Sequence, residues 1–287
     1  MKRGALYAVI ICALIAGTNG LMIKYMSSMT ASSMAWFRAT IPAGIFTVWM
    51  LQNKIPFFRG NYKKMLGASV INAGRIYLYL VAFIYTSIGN AVILFYAWPI
   101  FVSILSVLFL KEEIDKYRIS LLFLAFSGLI LAYSNQNFSF EDQDFIGMLA
   151  AVGASIGYAI TVIIYKSESN NYDKNELIFY QNVASVFLFF PLFFQNLPEI
   201  TWNHLGMAGI YGFLIGVVVF SLFFYGLKQL NASTASSLMY LEVVSAIILG
   251  FIFRNEVLSI NMVVGGSLII LSSFLLTRRN KKTTASD

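Results

Sequence analysis

The sequence predicts an all-α integral membrane protein of ten transmembrane helices, arranged as two inverted five-helix repeats. Three observations carry that prediction. Hydrophobic residues make up 59% of the 287-residue chain and charged residues only 11%, against roughly 25% charged in an ordinary soluble domain. Ten stretches of about 20 mostly apolar residues, enough to cross a hydrocarbon core, follow one another with short connections. A pattern running from Tyr85 to Glu112 also returns, with few identities, from Gln229 to Glu256. A soluble chain this apolar could not cover its surface with polar groups, and a bilayer removes that requirement.

The first stretch, roughly 4–26, follows Lys2 and Arg3 as a secretory leader would, but its apolar run continues to about Met26 and is read as a retained helix. Within it, Thr18 and Asn19 interrupt the apolar pattern beside Gly17 and Gly20. They either line a cavity or hydrogen-bond a neighbouring helix. The next four stretches cover roughly 31–51, 65–86, 89–110 and 117–135. The second set runs 145–165, 175–195, 204–227, 232–253 and 260–277. Residues 4–135 and 145–277 thus form two five-helix units, followed by a basic tail over 278–287.

Orientation follows from the basic residues. With the N-terminus in the cytoplasm and ten crossings, cytoplasmic segments hold sixteen of the twenty Lys and Arg. They are Lys2 and Arg3; Lys54, Arg59, Lys63 and Lys64; Lys111, Lys116 and Arg118; Lys166 and Lys174; Lys228; and Arg278, Arg279, Lys281 and Lys282. An excess of this kind marks the cytoplasmic side, so both termini are expected there. The same distribution excludes a nucleic-acid partner, because the net charge of +7 is spread over short clusters between apolar runs. One cysteine, Cys12, forbids an intramolecular disulfide, and one histidine, His204, excludes a multi-histidine metal site.

The repeat has an offset of 144 residues and aligns Tyr96 with Tyr240, Trp98 with Glu242 and Glu112 with Glu256. Five helices per unit is an odd number, so the second unit enters the membrane upside down. Such inverted repeats characterise secondary transporters, whose substrate site lies near the midplane between the halves.

Charged groups inside spans are rare, since each costs about 2.5–3.5 kcal/mol at a helix centre on insertion scales. Glu242 is the one acid well inside a stretch, and Arg75 sits near the middle of the third. Glu242 suits a proton-coupling carboxylate or a partner for a substrate ammonium group. Arg75 offers planar bidentate donors to a substrate carboxylate or phosphate. An ion pair between the two, holding the halves together, is the structural alternative. Asn72, Arg75 and Tyr79 share one helical face. Trp98, Tyr96 and Tyr240 are the aromatic candidates, placed by the repeat beside the midplane, where a cation or aromatic substrate can stack. Tyr158, Thr161 and Tyr225 rank below them. Lys24 and Arg38 are read as anchors that snorkel to the outer interface. Glu112 and Glu256 close two helices as capping or gating groups. The pairs Gly153/Gly157 and Gly212/Gly216 permit close helix packing.

The stretches FIYTSIGNAVILFYAWPIFVSILSVLFLKEEI and LFFYGLKQLNASTASSLMYLEVVSAIILGFIFRNEVL resemble the two halves of the drug/metabolite transporter superfamily, bacterial ten-helix type with two EamA domains. Phe37-Arg38-Ala39 fits a short pattern of the same family. Val243 stands where the second half of the family has a proline, whereas Pro99 is kept in the first, which leaves the kink of the ninth helix open. The resemblance implies gradient-driven export or exchange of a small metabolite in a bacterial inner membrane. An amino acid or amino-acid-like compound fits Arg75 and Glu242. S-adenosylmethionine or riboflavin are alternatives from the wider family. The expected state is a monomer or weak homodimer, with no cofactor.

Other classes fare worse. There is no HExxH, no intramembrane aspartate pair, no nucleotide-binding glycine loop and no Ser/His constellation, so an intramembrane enzyme lacks its chemistry. A channel would show rapid, poorly saturable flux without counterflow. The Asn137-Phe-Ser139 sequon on an outer loop is compatible with a eukaryotic source.

Overall fold

The computed structural model describes residues 2–26, 28–134, 142–195, 201–254 and 257–283. Described residues are helical nearly throughout: α1 (Lys2–Ala16), α2 (Thr18–Tyr25), α3 (Ala31–Gln52), α4 (Tyr62–Tyr85), α5 (Ile88–Phe95), α6 (Trp98–Leu110) and α7 (Lys116–Ala132). The second half holds α8 (Asp142–Glu168), α9 (Lys174–Gln195), α10 (Trp202–Tyr211), a π-helical segment Gly212–Val219, α11 (Phe220–Gln229), α12 (Ala232–Leu238), α13 (Leu241–Arg254) and α14 (Ile260–Thr283). Joined end to end, α1–α2, α5–α6, α10–α11 and α12–α13 each make one crossing. With α3, α4, α8, α9 and α14, nine spans among the described residues have the length and apolarity to cross a membrane. The tenth crossing is α7, at 17 residues shorter than the other nine, which run from 20 to 28. The last helix runs through Thr283, so the basic tail begins as helix, not as coil. Glu256 and the Asn137–Ser139 sequon lie outside the described residues.

Large apolar side chains such as Leu108, Phe109, Phe187 and Phe253 are exposed on the bundle surface, as a lipid-facing surface allows. The polar groups turn inward: Asn72, Arg75, Gln181, Asn182 and Ser185 are all buried.

Glycines set the closest contacts. A Cβ on Gly157 would stand 3.0 Å from the Arg75 Cβ, and one on Gly153 would stand 3.1 Å from Leu78. Residue numbers in these α4–α8 pairs fall on one helix as they rise on the other, so the two run antiparallel. The same holds for α7 and α14, where a Cβ on Gly128 would meet the Gly265 carbonyl at 2.6 Å and Ser272 Oγ donates to the Leu121 carbonyl at 2.6 Å. Gly212 and Gly216 let the π-helical segment lie parallel to α3. Added Cβ atoms there would stand 2.9 Å from the Phe37 and Arg38 carbonyls respectively. Numbered as crossings, the third packs on the sixth and the eighth on the first; the fourth packs on the sixth and the ninth on the first; the second packs on the eighth and the seventh on the third.

One end of the bundle is bolted by polar groups. Arg59, from the α3–α4 connection, donates from Nε and Nη2 to both oxygens of buried Glu176, at 2.8 and 2.6 Å. Lys64 and Asn61 both donate to buried Glu168, at 2.9 and 3.0 Å. Tyr172 donates to the Arg59 carbonyl at 2.7 Å. Glu112, expected to close its own helix, instead accepts from the Ala232 backbone N–H at 2.7 Å and so caps the start of α12.

Candidate functional site

Four crossings are interrupted or widened, and they meet at one cavity. The first breaks at Gly17, where a Cβ would meet Ser245 at 2.5 Å; Ser245 in turn donates to the Leu14 carbonyl at 2.6 Å. The fourth breaks at Tyr96 and Ala97, just before Pro99, which lacks a backbone N–H. The eighth widens into the π-helical segment, a feature frequent at functional sites. The ninth breaks at Met239 and Tyr240, with Val243 in place of proline. Its backbone there closes by tighter bonds three residues apart: Met239 to Ser236 at 3.1 Å, Glu242 to Met239 at 3.0 Å and Val243 to Tyr240 at 3.0 Å. The kink left open by the missing proline is therefore present.

The cavity these breaks enclose measures about 50 Å³ and is lined by Asn19, Arg38, Arg75, Tyr79, Tyr158 and Glu242, with Phe95, Trp98, Phe220 and Phe223 as aromatic walls. In such a measure one water takes about 10–15 Å³, so this conformation has room for a few waters and none for a metabolite.

Arg75 comes from the middle of α4. Its Nε and Nη2 donate to Asn72 Oδ1 at 3.1 and 2.9 Å, and Asn72 Nδ2 donates to the Gln181 carbonyl at 2.7 Å. The guanidinium lies 4.2 Å from the centre of the Tyr158 ring. Glu242 opens α13, and the charges of Arg38 and Arg75 and the hydroxyl of Tyr96 all act on it. No ion pair within 4.0 Å joins Arg75 to Glu242, so the structural alternative of a locked pair is not realised in this conformation. Tyr211 donates to Asn19 Oδ1 at 2.9 Å, which ties the broken first crossing to the end of α10, where the eighth widens.

Of the sequence candidates, Arg75, Glu242, Tyr79, Trp98 and Asn19 share the cavity. Tyr96 and Tyr240 do not line it; their rings stand 6.5 Å apart, and Tyr240 is fully buried. Tyr158 lines the cavity; Thr161 bonds its own helix at the Tyr158 carbonyl, and Tyr225 sits on the surface. Arg38 requires a correction. It does not snorkel outward: it lines the cavity, with its guanidinium 5.7 Å from the centre of the Phe220 ring. The reason is packing, since Gly216 lets the π-helical segment seat against the Arg38 backbone and turns that face of α3 inward. The sequence held one signal, an arginine within a span, but not the side to which it turns. Cys12 also reaches the wall, where its thiol donates to the Val219 carbonyl at 3.3 Å. His204 serves α10 as half of a capping box with Thr201, and its Nε2 meets Ser28 Oγ at 2.7 Å.

A bundle of broken apolar helices around a buried arginine and a half-buried glutamate is the arrangement of a membrane transporter. The profile of the EamA-like transporter family matches residues 2–134 and again 145–278. This chain belongs to that family, and through it to the drug/metabolite transporter superfamily. It is 24% identical to the pseudopaline exporter CntI of Pseudomonas aeruginosa over 98% of each chain. It is 25% identical to the uncharacterized transporter YoaV of Bacillus subtilis over 66% of each chain. Over 96% of this chain and 98% of the other, the fold superposes on a protein crystal structure with a TM-score of 0.81 at 15% identity, a likeness of fold alone.

Proposed function

We propose that the chain is a secondary-active exporter or exchanger of a small polar metabolite, an amino acid or amino-acid-like compound, working by alternating access. The observation that carries this reading is the meeting of Arg75 and Glu242 at one cavity, not paired with each other, where three crossings are broken and a fourth is widened. A zwitterion presents one carboxylate and one ammonium group, and each finds its opposite there. Glu242 has a second role in the cycle, as the carboxylate that couples transport to protons.

Alternating access requires two halves of opposite sense, 4–135 and 145–277. Two observations support that division. The family profile fits twice along the chain. The helix contacts also map onto one another when every crossing is shifted by five: third-on-sixth becomes eighth-on-first, and fourth-on-sixth becomes ninth-on-first. The family type and the short connections argue for a bacterial inner membrane protein, and the basic residues for both termini in the cytoplasm. The name of the Pseudomonas relative, an exporter, supports outward transport. The aromatic walls favour a second reading, a vitamin-like or nucleotide-like substrate that stacks on Trp98 or Tyr158.

The test is counterflow in proteoliposomes with a labelled panel of amino acids, nucleosides and vitamins, for the wild type, Arg75→Ala and Glu242→Gln. Saturable exchange of one class is expected, lost in Arg75→Ala. Glu242→Gln is expected to lose exchange as well; exchange retained there without its pH dependence would instead assign Glu242 to proton coupling alone. Equal flux from all three proteins would remove the site assignment.

A further inference from the structure

The charge of the cavity reaches a finer statement about the substrate, one that rests on the transport reading above. Two guanidiniums, Arg38 and Arg75, face a single carboxylate, Glu242; the other polar groups on the wall carry no charge in their ordinary forms. With Glu242 ionised the site is positive by one charge.

Neither guanidinium has an acid of its own. Arg75 bonds the neutral amide of Asn72 through Nε and Nη2, which leaves its Nη1 edge uncommitted to that bond, and its flat face lies on Tyr158. Arg38 faces the Phe220 ring. Among the described residues, no ion pair within 4.0 Å includes either one. Aromatic faces and an amide hold a guanidinium in place without cancelling its charge. Arg75 is buried and Arg38 half-buried; holding two like charges beside one acid inside a low-dielectric bundle is costly, and a ligand bringing the missing negative charge offsets that cost.

We infer that the substrate is an anionic amino acid or amino-acid derivative with at least two acidic groups and one amine. One acid meets Arg75, a second meets Arg38, and the amine meets Glu242. The loaded site is then neutral. A neutral zwitterion leaves one guanidinium unmatched, and a basic amino acid adds positive charge to a cavity that already has an excess. Arg38 is in this scheme a specificity-determining residue, distinct from the Arg75–Glu242 couple that any amino acid engages.

The experiment compares matched pairs in proteoliposome counterflow: labelled glutamate against glutamine and aspartate against asparagine, with alanine and lysine beside them and iminodiacetate as an unlabelled competitor. The wild type is expected to exchange or be inhibited by the dicarboxylic amines at concentrations at least about tenfold below those of the amides, the effect of one additional charge-assisted contact. Arg38→Gln is expected to erase that preference. Arg38→Lys, which keeps the charge and guards against a mere folding defect, is expected to keep most of it. An acid preference unchanged in Arg38→Gln would overturn the role of Arg38. Saturable exchange of glutamine, alanine or lysine, with no exchange or competition by any dicarboxylic amine, would overturn the charge assignment and leave the transporter intact. Failure of every compound on the panel would overturn the anionic class together with the amino-acid reading beneath it.

Discussion

At the residue scale the site depends on a neutral intermediary. Asn72 is buried between the Gln181 carbonyl on α9 and two nitrogens of Arg75. It fixes the guanidinium without competing for its charge, which an aspartate at the same place would do. Hydrogen bonds to charged groups contribute about 1.5–3 kcal/mol each, so their loss is felt in affinity. Asn72→Ala is expected to raise the half-saturation concentration roughly tenfold, with the maximal rate less affected. Asn72→Asp is expected to do more harm, because its carboxylate would occupy Arg75 and exclude the substrate's. Transport kinetics on the two variants decide between them: if Asn72→Asp transports as well as wild type, Arg75 does not meet a substrate anion. Sequence made Asn72, Arg75 and Tyr79 legible as one face, because helical spacing alone fixes that. It did not make Arg38 legible, since whether an arginine in a span points to lipid headgroups or to the core depends on which neighbouring helix comes close.

At the element scale the question is how a helix breaks. The fourth crossing uses Pro99, visible in sequence; the ninth has Val243 at the matching position and breaks all the same. Its turn at Met239 and Tyr240 is held by bonds three residues apart and by the packing around fully buried Tyr240. Proline is therefore compatible with the site without being its cause. Val243→Pro would forfeit one bond, Val243 N–H to the Tyr240 carbonyl at 3.0 Å, in the first turn of α13, where proline is tolerated. Its thermal stability is expected to stay within a few degrees of wild type. Ile247→Pro, placed inside α13, is expected to cost about 3 kcal/mol or more and to abolish the folded peak in size-exclusion chromatography. Equal damage from both would mean that the break at Tyr240 is not a stable feature of the helix. The π-helical segment at Gly212–Val219 left no mark in the sequence beyond two glycines four apart, for the register of a widened turn is set by contacts with α3.

At the scale of the whole molecule, transport needs the two halves to move against each other, and the bolted end shows what must part. Arg59–Glu176 and Asn61–Glu168 join the α3–α4 connection, and Lys64–Glu168 the first turn of α4, to the second half. Closed contacts there and a nearly filled cavity describe one stage of a cycle. Asn61 and Asn171 both bond Glu168, at 3.0 and 2.9 Å, so cysteines at the two positions are within reach of a short thiol cross-linker. The single native cysteine, Cys12, is buried and gives little background. Bridging Asn61→Cys to Asn171→Cys with a reducible linker is expected to stop counterflow, and reduction to restore it. Undiminished flux in the bridged protein would show that this end never opens, and alternating access between the halves would have to be abandoned.

Sequence by itself determined the membrane class, the ten apolar stretches, the 144-residue echo between halves and the two charged groups that a bilayer would not tolerate without purpose. Those follow from composition and spacing, which are local quantities, and from the high cost of charge in hydrocarbon. Tertiary structure alone decided that Arg38 joins the cavity, that Tyr96 and Tyr240 do not line it, that Glu112 caps the helix of the opposite half, and that Arg75 and Glu242 meet at the cavity without pairing with each other. Each depends on which helix faces meet and how closely. In this bundle the glycines at Gly157, Gly212 and Gly216 and the breaks at Gly17 and Tyr240 set that approach, and their effect exists only once ten helices are packed.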